Sequence, residues 1–232
     1  MKILLLIMMT LSTLFAAIGE ITAVQGEAQL QREATVLPVK KGTSLEEKDL
    51  LETQKHSKVQ VILKDDTVIT IGPQSSYFFE TYQDQAEPKV LMRLQHGFFK
   101  IITGKIGKIA PERFKVKTEV ATIGIRGTQF MASVQEGKES IACSRGALVV
   151  ETEKTTFELP AGMMLVYQNS RWSMHEIDPG SFEPIMMQQS VAPQKKTALE
   201  QTTQHLPDFK ESYTPLEQQI DKEHYDSYQQ PY

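Results

Sequence analysis

The chain has 232 residues, 40% of them hydrophobic, and carries 25 Lys and Arg against 29 Asp and Glu, which gives a formal charge of -4. That length allows one large domain or two small ones with a real core, and the slight acidity provides no basic footprint for nucleic acid. Cys143 is the single cysteine. An intramolecular disulfide and a cysteine-based zinc site are therefore excluded.

The first residues have the pattern of a secretory signal peptide. Lys2 supplies a positive charge, residues 3–15 are mostly apolar, and small residues follow at Ala16 and Ala17. We predict a signal peptide over residues 1–17 and hence a bacterial protein of the periplasm or cell surface. The apolar run is short for a spanning helix, which needs roughly 20 residues, and an uncleaved anchor is the alternative. No membrane span is expected after signal removal.

Residues 18–180 have the pattern of an all-β domain built from many short strands. Lys58–Leu63 alternates between apolar and polar residues and stops at a turn with two adjacent aspartates. Residues 89–94 and 98–102 are separated by Gly97, which predicts two strands. Gly124 and Gly127 interrupt another apolar stretch, and glycines in strands often mark bulges or corners.

Two segments depart from this strand pattern. Ser44 to Leu51 resembles a capped helix start, with Glu47 three residues after Ser44, and predicts at most one helical turn. Residues 181–232 are rich in Gln, Lys, Glu, Tyr and Pro and contain no strand-like run. This composition predicts a polar, flexible and partly helical tail, which docks on the domain or on a partner or stays solvated.

Three sequence segments resemble conserved motifs of the FecR domain. Residues 63–73, with Asp65 and Asp66, are similar to its strand–turn–strand segment, and residues 94–99, with Gly97, to a later strand start. Residues 118–130 resemble its most distinctive signature, which runs here from Gly124 through Arg126, Gly127 and Thr128 to Phe130. The resemblance covers residues 18–170.

The resemblance implies a β-solenoid-like stack of short strands rather than a closed barrel. It departs from the family at Asp66, where a glycine is usual, and in domain organisation. FecR regulators have a cytoplasmic sigma-binding domain and a membrane helix before the sensor, and there is no room for that domain before Ile18. The chain is therefore expected to be a stand-alone exported form, to which sigma regulation does not transfer.

The motif residues are predicted to serve structure more than chemistry. For Arg126 a ligand or partner contact is possible, but its place between Ile125 and Gly127 favours a guanidinium that ties together carbonyls at a strand corner. Asp65 and Asp66 are expected in a solvated turn rather than in a calcium site, since a hard cation needs six to eight oxygens. Phe130 is expected in the core.

No residue pattern indicates catalysis or a cofactor. The five histidines lack metal-ligand spacing, Cys143 is predicted to be a small buried hydrophobe, and no nucleophile or phosphate-loop motif is present. We therefore predict a protein that is not an enzyme and needs neither cofactor nor metal. The basic residues between Lys100 and Lys117 are expected on a solvated face, with contact to an acidic polymer or lipid heads as the alternative.

The leading functional prediction is a binding or scaffolding module for another envelope protein or an envelope polymer. One alternative is a periplasmic sensor or accessory in envelope signalling, by analogy with the family. Another is a polysaccharide-acting enzyme, which would require carboxylates converging on one face of the strands. The sequence predicts no oligomeric state.

Overall fold

The computed structural model describes residues 16–177, which are predominantly β-strand and confirm the all-β class. The first eight strands are β1 Gly19–Gln25, β2 Ala28–Arg32, β3 Thr35–Pro38, β4 Ser44–Leu45, β5 Leu50–Thr53, β6 Lys58–Leu63, β7 Val68–Ile71 and β8 Ser76–Gln83. They are followed by β9 Lys89–Ile102, β10 Phe114–Lys117, β11 Ala121–Gln135, β12 Lys138–Thr152, β13 Thr156–Pro160, β14 Met163–Gln168 and β15 Arg171–Glu176. A helical turn, α1 Ile106–Ile109, and a 3-10 turn, Pro111–Arg113, precede β10. The predicted tail and all but the last two residues of the predicted signal peptide lie outside the described residues.

The strands form two layers that share three long strands. The first layer runs β4-β1-β6-β7, then the C-terminal parts of β9 and β11, the N-terminal part of β12, and finally β14 and β15. The second layer runs β3-β2-β5-β8, the N-terminal part of β9, β10, the N-terminal part of β11, the C-terminal part of β12, and β13. Because β9, β11 and β12 belong to both layers, the hydrogen-bonded ladder is continuous between them.

Each shared strand contains a glycine with a positive φ where it passes from one layer to the other. These residues are Gly97 (φ 99°), Gly127 (φ 61°) and Gly146 (φ 80°), and the pairing of β11 with β12 shifts register just after Arg126. L-residues rarely adopt this conformation, which glycine reaches without a Cβ clash. At Gly97 a Cβ would also lie 2.4 Å from the Cα of Ser75, so the strand and the loop before β8 touch there through backbone.

The main hydrophobic core lies between the two layers. Tyr77 on β8 meets Phe99 on β9 edge to face at 5.5 Å between ring centroids, and Phe99 meets Phe130 on β11 at the same distance. Nearer the end of the chain, Phe157 on β13 lies 5.9 Å from Trp172 on β15. The Tyr77–Phe99 and Phe157–Trp172 contacts join opposite layers, whereas Phe99 and Phe130 both belong to the first layer. All these rings point inward, in keeping with the alternation of side chains along each strand.

The β-solenoid-like stack implied by the resemblance is not what these pairings show. Nearly all neighbouring strands pair antiparallel, and β9 with β10 is the parallel pair within residues 16–177. Half of the antiparallel pairs among the described strands join consecutive strands through hairpins, whereas α1 and the 3-10 turn provide the longer crossover that the parallel pair requires. Over the same residues, no helix is long and apolar enough to cross a membrane.

The helical turn predicted at Ser44 to Leu51 is wrong. The segment instead forms β4, a turn and the start of β5. Asp49 is fully buried in that turn, where its Oδ2 accepts hydrogen bonds from the Arg32 guanidinium and from the Glu46 backbone N–H, each at 2.8 Å. A buried carboxylate is stable only with such partners, and Arg32 comes from β2, so a tertiary contact overrides the local helix pattern.

Candidate partner-binding site

Asp65 lies in the β6–β7 turn, where this turn contacts the crossover segment between β9 and β10. Its Oδ2 accepts from the Thr67 hydroxyl at 2.8 Å and from the Ile106 N–H at 3.2 Å, and its backbone carbonyl accepts from the Lys105 N–H at 2.7 Å. The Gly104 N–H donates to the Thr67 hydroxyl at 2.9 Å. Asp65 is therefore buried and bonded to protein groups, in contrast to the solvated turn that the sequence predicted.

Burial raises the pKa of the Asp65 carboxyl above its ordinary value, although the hydrogen bonds from Thr67 and Ile106 act in the opposite direction. The neighbouring Asp66 has a φ of 67° and pairs with the Lys105 ammonium at 2.8 Å. This left-handed conformation explains why glycine is the usual family residue at this position. Asp66 keeps the turn and adds an ion pair to the crossover.

Thr128 joins the same crossover from β11. Its backbone carbonyl accepts from the Thr103 N–H at 3.1 Å and from the Thr103 hydroxyl at 3.0 Å, while its N–H donates to that hydroxyl at 2.9 Å. The structure thus brings Asp65, Asp66 and Thr128 onto one segment, residues 103–106. Their shared arrangement is structural: it fixes the start of the path that leads to β10.

The other predicted motif residues lie apart from this junction. Gly97 is at the bend of β9, and Phe130 is fully buried in the core. Gly124 has ordinary space around it, since a Cβ there would lie 3.6 Å from its nearest neighbour, the Val149 carbonyl oxygen. Arg126 and Gly127 are exposed at the bend of β11. Among residues 16–177 the Arg126 guanidinium has no hydrogen bond or ion pair, so the predicted tie to strand-corner carbonyls is absent there.

The basic residues between Lys100 and Lys117 do not form a patch of one charge. Lys105 pairs with Asp66, Arg113 lies 3.2 Å from Glu87, and Lys115 lies 3.4 Å from Glu151. Lys100 is buried. This distribution favours the predicted solvated face over the alternative of a dedicated surface for an acidic polymer or lipid heads.

The described residues offer no metal site, because no cluster of three or more His, Cys, Asp or Glu side chains is found in 16–177. Cys143 is buried, and burial raises the pKa of its thiol to about 11. A thiol that stays protonated at neutral pH is a poor nucleophile. Cys143 therefore behaves as the small buried hydrophobe that the sequence predicted.

The outer face of the second layer is partly exposed and mixes apolar with polar side chains. We call it the open face and define it by six residues whose strand neighbours point into the core: Leu50, Phe78, Leu91, Arg93, Lys115 and Val149. One row of directly opposed residues crosses four strands as Gln31, Leu50, Phe78 and Arg93. A parallel row crosses from Leu91 to Lys115, Gly124 and Val149.

A shallow groove of about 490 Å³ lies on the open face. It is lined by two apolar residues, Leu50 and Phe78, and by five polar or charged ones: Gln31, Glu33, Lys48, Arg93 and Gln95. The Arg93 guanidinium lies 3.1 Å from the Glu80 carboxylate, which holds it at the groove. Aromatic residues, including Phe, and Arg are enriched at protein interfaces relative to the rest of the surface.

Sequence reasoning missed this groove. Phe78 stands between Tyr77 and Phe79, so three consecutive aromatic residues hide which one faces outward. Only the buried state of Tyr77 and Phe79 assigns Phe78 to the outer face. The alternation of Val90, Leu91, Met92 and Arg93 is a weaker signal, and it shows that β9 has two sides without indicating which side is covered.

Residues 49–149 match the model of the family described as FecR protein. A comparison with curated proteins finds no match. Two crystal structures of a candidate anti-sigma factor from Parabacteroides distasonis, at 1.65 and 2.50 Å, are similar to this chain with 15% sequence identity and a TM-score of 0.50. The similarity covers 57% of this chain and 61% of that one, so this chain spans about three-fifths of its neighbour. At this identity the likeness concerns the fold alone. The family match is narrower than the expected range of 18–170, but it includes the Asp65 turn, Gly97 and the whole signature from Gly124 to Phe130. The resemblance predicted from those motifs is therefore confirmed over residues 49–149.

Proposed function

We propose that this chain is a non-catalytic sensor or accessory protein of bacterial envelope signalling and that it binds a protein partner through the open face. The observation that carries the proposal is the FecR match, because residues 49–149 include β5, β8, β9, β10 and β11, the strands that build most of this face. The fold shared with a candidate anti-sigma factor supports the same class of role.

The chemistry of the groove favours a protein partner. Leu50 and Phe78 offer apolar area that a partner side chain would remove from water, and Arg93 and Gln95 at the rim can donate hydrogen bonds to it. The face belongs to a stable sheet, so binding would require little rearrangement of the backbone. We further propose that the protein acts outside the cytoplasm, on the basis of the signal peptide predicted over residues 1–17.

A scaffolding protein, the role predicted from the sequence, would use the same surface but would have a different effect in the cell. A scaffold maintains envelope structure, whereas a sensor or accessory changes transcription, and the family match supports the second role. The enzyme alternative requires converging carboxylates, and Glu33 is the one carboxylate among the residues lining the groove. Absence of catalysis remains part of the proposal.

The test is a deletion in the native host, complemented with the wild-type chain, with Phe78→Glu or with Ile109→Glu. Ile109 is 70% exposed and lies on α1, away from the groove, which makes it the matched control. Transcript sequencing should show a discrete gene set that changes on deletion, is restored by wild type and Ile109→Glu, and is not restored by Phe78→Glu.

Two outcomes would contradict the proposal. Unchanged transcripts in the deletion strain, together with a weakened envelope, would favour the scaffold. Restoration by Phe78→Glu at normal protein level would show that the partner binds elsewhere than the groove.

A further inference from the structure

β15 is the longest of the strands that end the two layers in residues 16–177. The first layer ends at β4, which has two residues, and at β15, which has six. The second layer ends at β3 and β13, whose last residues are Pro38 and Pro160. Short edge strands and prolines hinder the addition of a further strand. β15 contains no proline, and its residues from Ser173 to Glu176 are exposed.

The hairpin that joins β14 to β15 determines which backbone groups of β15 bond to β14. Its two turn residues, Asn169 and Ser170, have φ values of 52° and 59°, as in a type I′ turn, so the next residue, Arg171, closes the hairpin with a bonded pair. Bonded and non-bonded pairs then alternate along an antiparallel ladder. Ile177 has the same parity as Arg171, and its N–H donates to the Gly162 carbonyl at 2.8 Å, which agrees with this alternation.

The residues of the other parity direct their backbone N–H and C=O groups away from β14. They are Trp172, Met174 and Glu176. β15 pairs with β14 alone, and no residue in 16–177 bonds to these outward groups. The side chain of Met174 adds an apolar surface, since this residue is 40% exposed. An edge with these properties is a template for another extended strand.

We propose that β15 pairs with β15 of a second copy of the chain, antiparallel and about a two-fold axis through Met174. Directly opposed residues in an antiparallel pair have their side chains on the same face, so a two-fold pairing opposes residues of equal parity. The register centred on Met174 is the one that uses every outward group. It places Met174 opposite its own equivalent and Trp172 opposite Glu176 of the second copy.

The side chains of β15 favour this antiparallel arrangement. Arg171 begins the strand and Glu176 ends it. Antiparallel pairing brings the arginine end of each strand beside the glutamate end of the other, whereas parallel pairing would align like charges. The two Met174 side chains would meet on the core side of the sheet, since Met174 stands opposite the buried Leu165 of β14. Their contact would remove apolar area from water.

The pairing would join the first layers of two copies into one continuous sheet. It leaves the open face of each copy free, because β15 belongs to the other layer. A single strand pair is a small interface, so we expect a weak dimer that forms as the concentration of the chain rises. A dimer presents two open faces, and a partner that also occurs in pairs would bind it more tightly than it binds one face.

The first test uses the full chain with one cysteine placed on the edge. Opposed Cα atoms in a bonded antiparallel pair lie about 5.5 Å apart, which a disulfide can span, so Met174→Cys should give a linked dimer on mild oxidation. His175→Cys is the matched control, because it is exposed on the same strand and its own equivalent would lie roughly 8 Å away. The native Cys143 is 0% exposed and does not compete. We expect Met174→Cys to link at least about tenfold faster than His175→Cys.

Sedimentation velocity of the full chain at rising concentration provides a second readout. The unaltered chain should show a reversible monomer–dimer equilibrium. Met174→Lys should abolish the dimer, because it places two ammonium groups directly opposite each other. Met174→Gln has a side chain of similar length without the charge and should retain most of the association. Circular dichroism checks that both variants are folded.

Three results would each overturn the proposal. The first is an unaltered chain that stays monomeric at the highest concentration, which would leave the edge for a strand of a different protein. The others are equal linking rates of the two cysteine variants and a dimer of Met174→Lys as strong as that of the unaltered chain. Phe78→Glu on the open face should dimerise normally, so this pairing and the proposed function can fail independently.

Discussion

The two outer faces of this domain belong to layers built from the same three shared strands, yet one is buried and the other is open. On β9, Phe98 and Lys100 are nearly inaccessible, whereas Arg93, a few residues earlier, is exposed. The strand passes from one layer to the other between them, at Gly97. The comparison separates a buried outer face, which is expected to contribute to stability, from a partly exposed one that is available for binding.

The largest expected difference between the faces comes from a matched pair of phenylalanine substitutions. Phe98→Ala should lower the free energy of unfolding by about 3–5 kcal/mol, since a fully buried ring leaves a cavity. Phe78→Ala on the open face should lower it by no more than about 1 kcal/mol. Urea denaturation of both variants measures the difference, and equal losses would refute the distinction between the faces.

Glu139 tests the core-facing side of β12, which it shares with Ile141 and Cys143. Glu139 is 2% exposed, its Oε1 accepts from the Thr118 hydroxyl at 2.8 Å, and its Oε2 has no hydrogen-bond partner among residues 16–177. Burial raises the pKa of this carboxyl to about 7, and the nearby Glu119 charge acts in the same direction. The folded state therefore holds the proton more tightly than the unfolded chain.

The consequence is a loss of stability with rising pH. The contribution of Glu139 is fully present below the unfolded pKa of about 4.5 and is lost as pH rises through about 7. The Glu139→Gln side chain cannot ionise. The free energy of unfolding of this variant should therefore exceed that of the wild type by up to roughly 3 kcal/mol at pH 8 and by almost nothing at pH 4. Denaturation curves at the two pH values measure the gain, and one that does not change with pH would contradict the buried, protonated carboxyl.

The glycines near the bend of β11 provide a smaller contrast. Gly127→Ala should cost about 1–2 kcal/mol, because its φ of 61° is unfavourable for any residue with a Cβ. Gly124→Ala should change the free energy of unfolding by less than about 0.5 kcal/mol, since the site has room for a methyl group. Thermal unfolding of the two variants checks the prediction, and a reversed order would mean that the bend is not fixed at Gly127.

Arg93 is expected to show the smallest effect on stability. Its side chain is 46% exposed and its pair with Glu80 is on the surface, so Arg93→Ala should cost less than about 0.5 kcal/mol. Chemical denaturation at low and moderate salt would measure this. A loss of several kcal/mol would mean that the open face is a structural surface and would weaken the case for binding there.

Local pattern was sufficient to predict much of the fold. The alternation of Lys58 to Leu63 predicts a half-buried strand, and β6 has those same bounds, with Val59, Val61 and Leu63 buried. The signature around Arg126 was specific enough to predict the match of residues 49–149 to the FecR family model. Both inferences rest on neighbouring residues, whose periodicity or motif is visible without knowledge of the partner strands.

What the sequence could not predict depends on contacts between distant residues. Gly97 predicts a break between two strands, whereas β9 continues through it and changes layer. The pattern at Ser44 predicts a helical turn, which the Arg32–Asp49 ion pair prevents. Asp65, Asp66 and Thr128 are distant in sequence, and only the structure shows that they contact the same crossover segment. The groove around Phe78 could not be predicted without knowing which side of each strand faces the core.

The bent strands also limit how the chain can change in length. Side chains alternate with a period of two, so one residue inserted within residues 89–95 would exchange the core and open-face sides of that half of β9 and leave the half after Gly97 in register. Two inserted residues would preserve the alternation in both halves. Length variation in β9, β11 and β12 is therefore expected in steps of two, or at the glycine bends themselves, where a bulge absorbs a single residue.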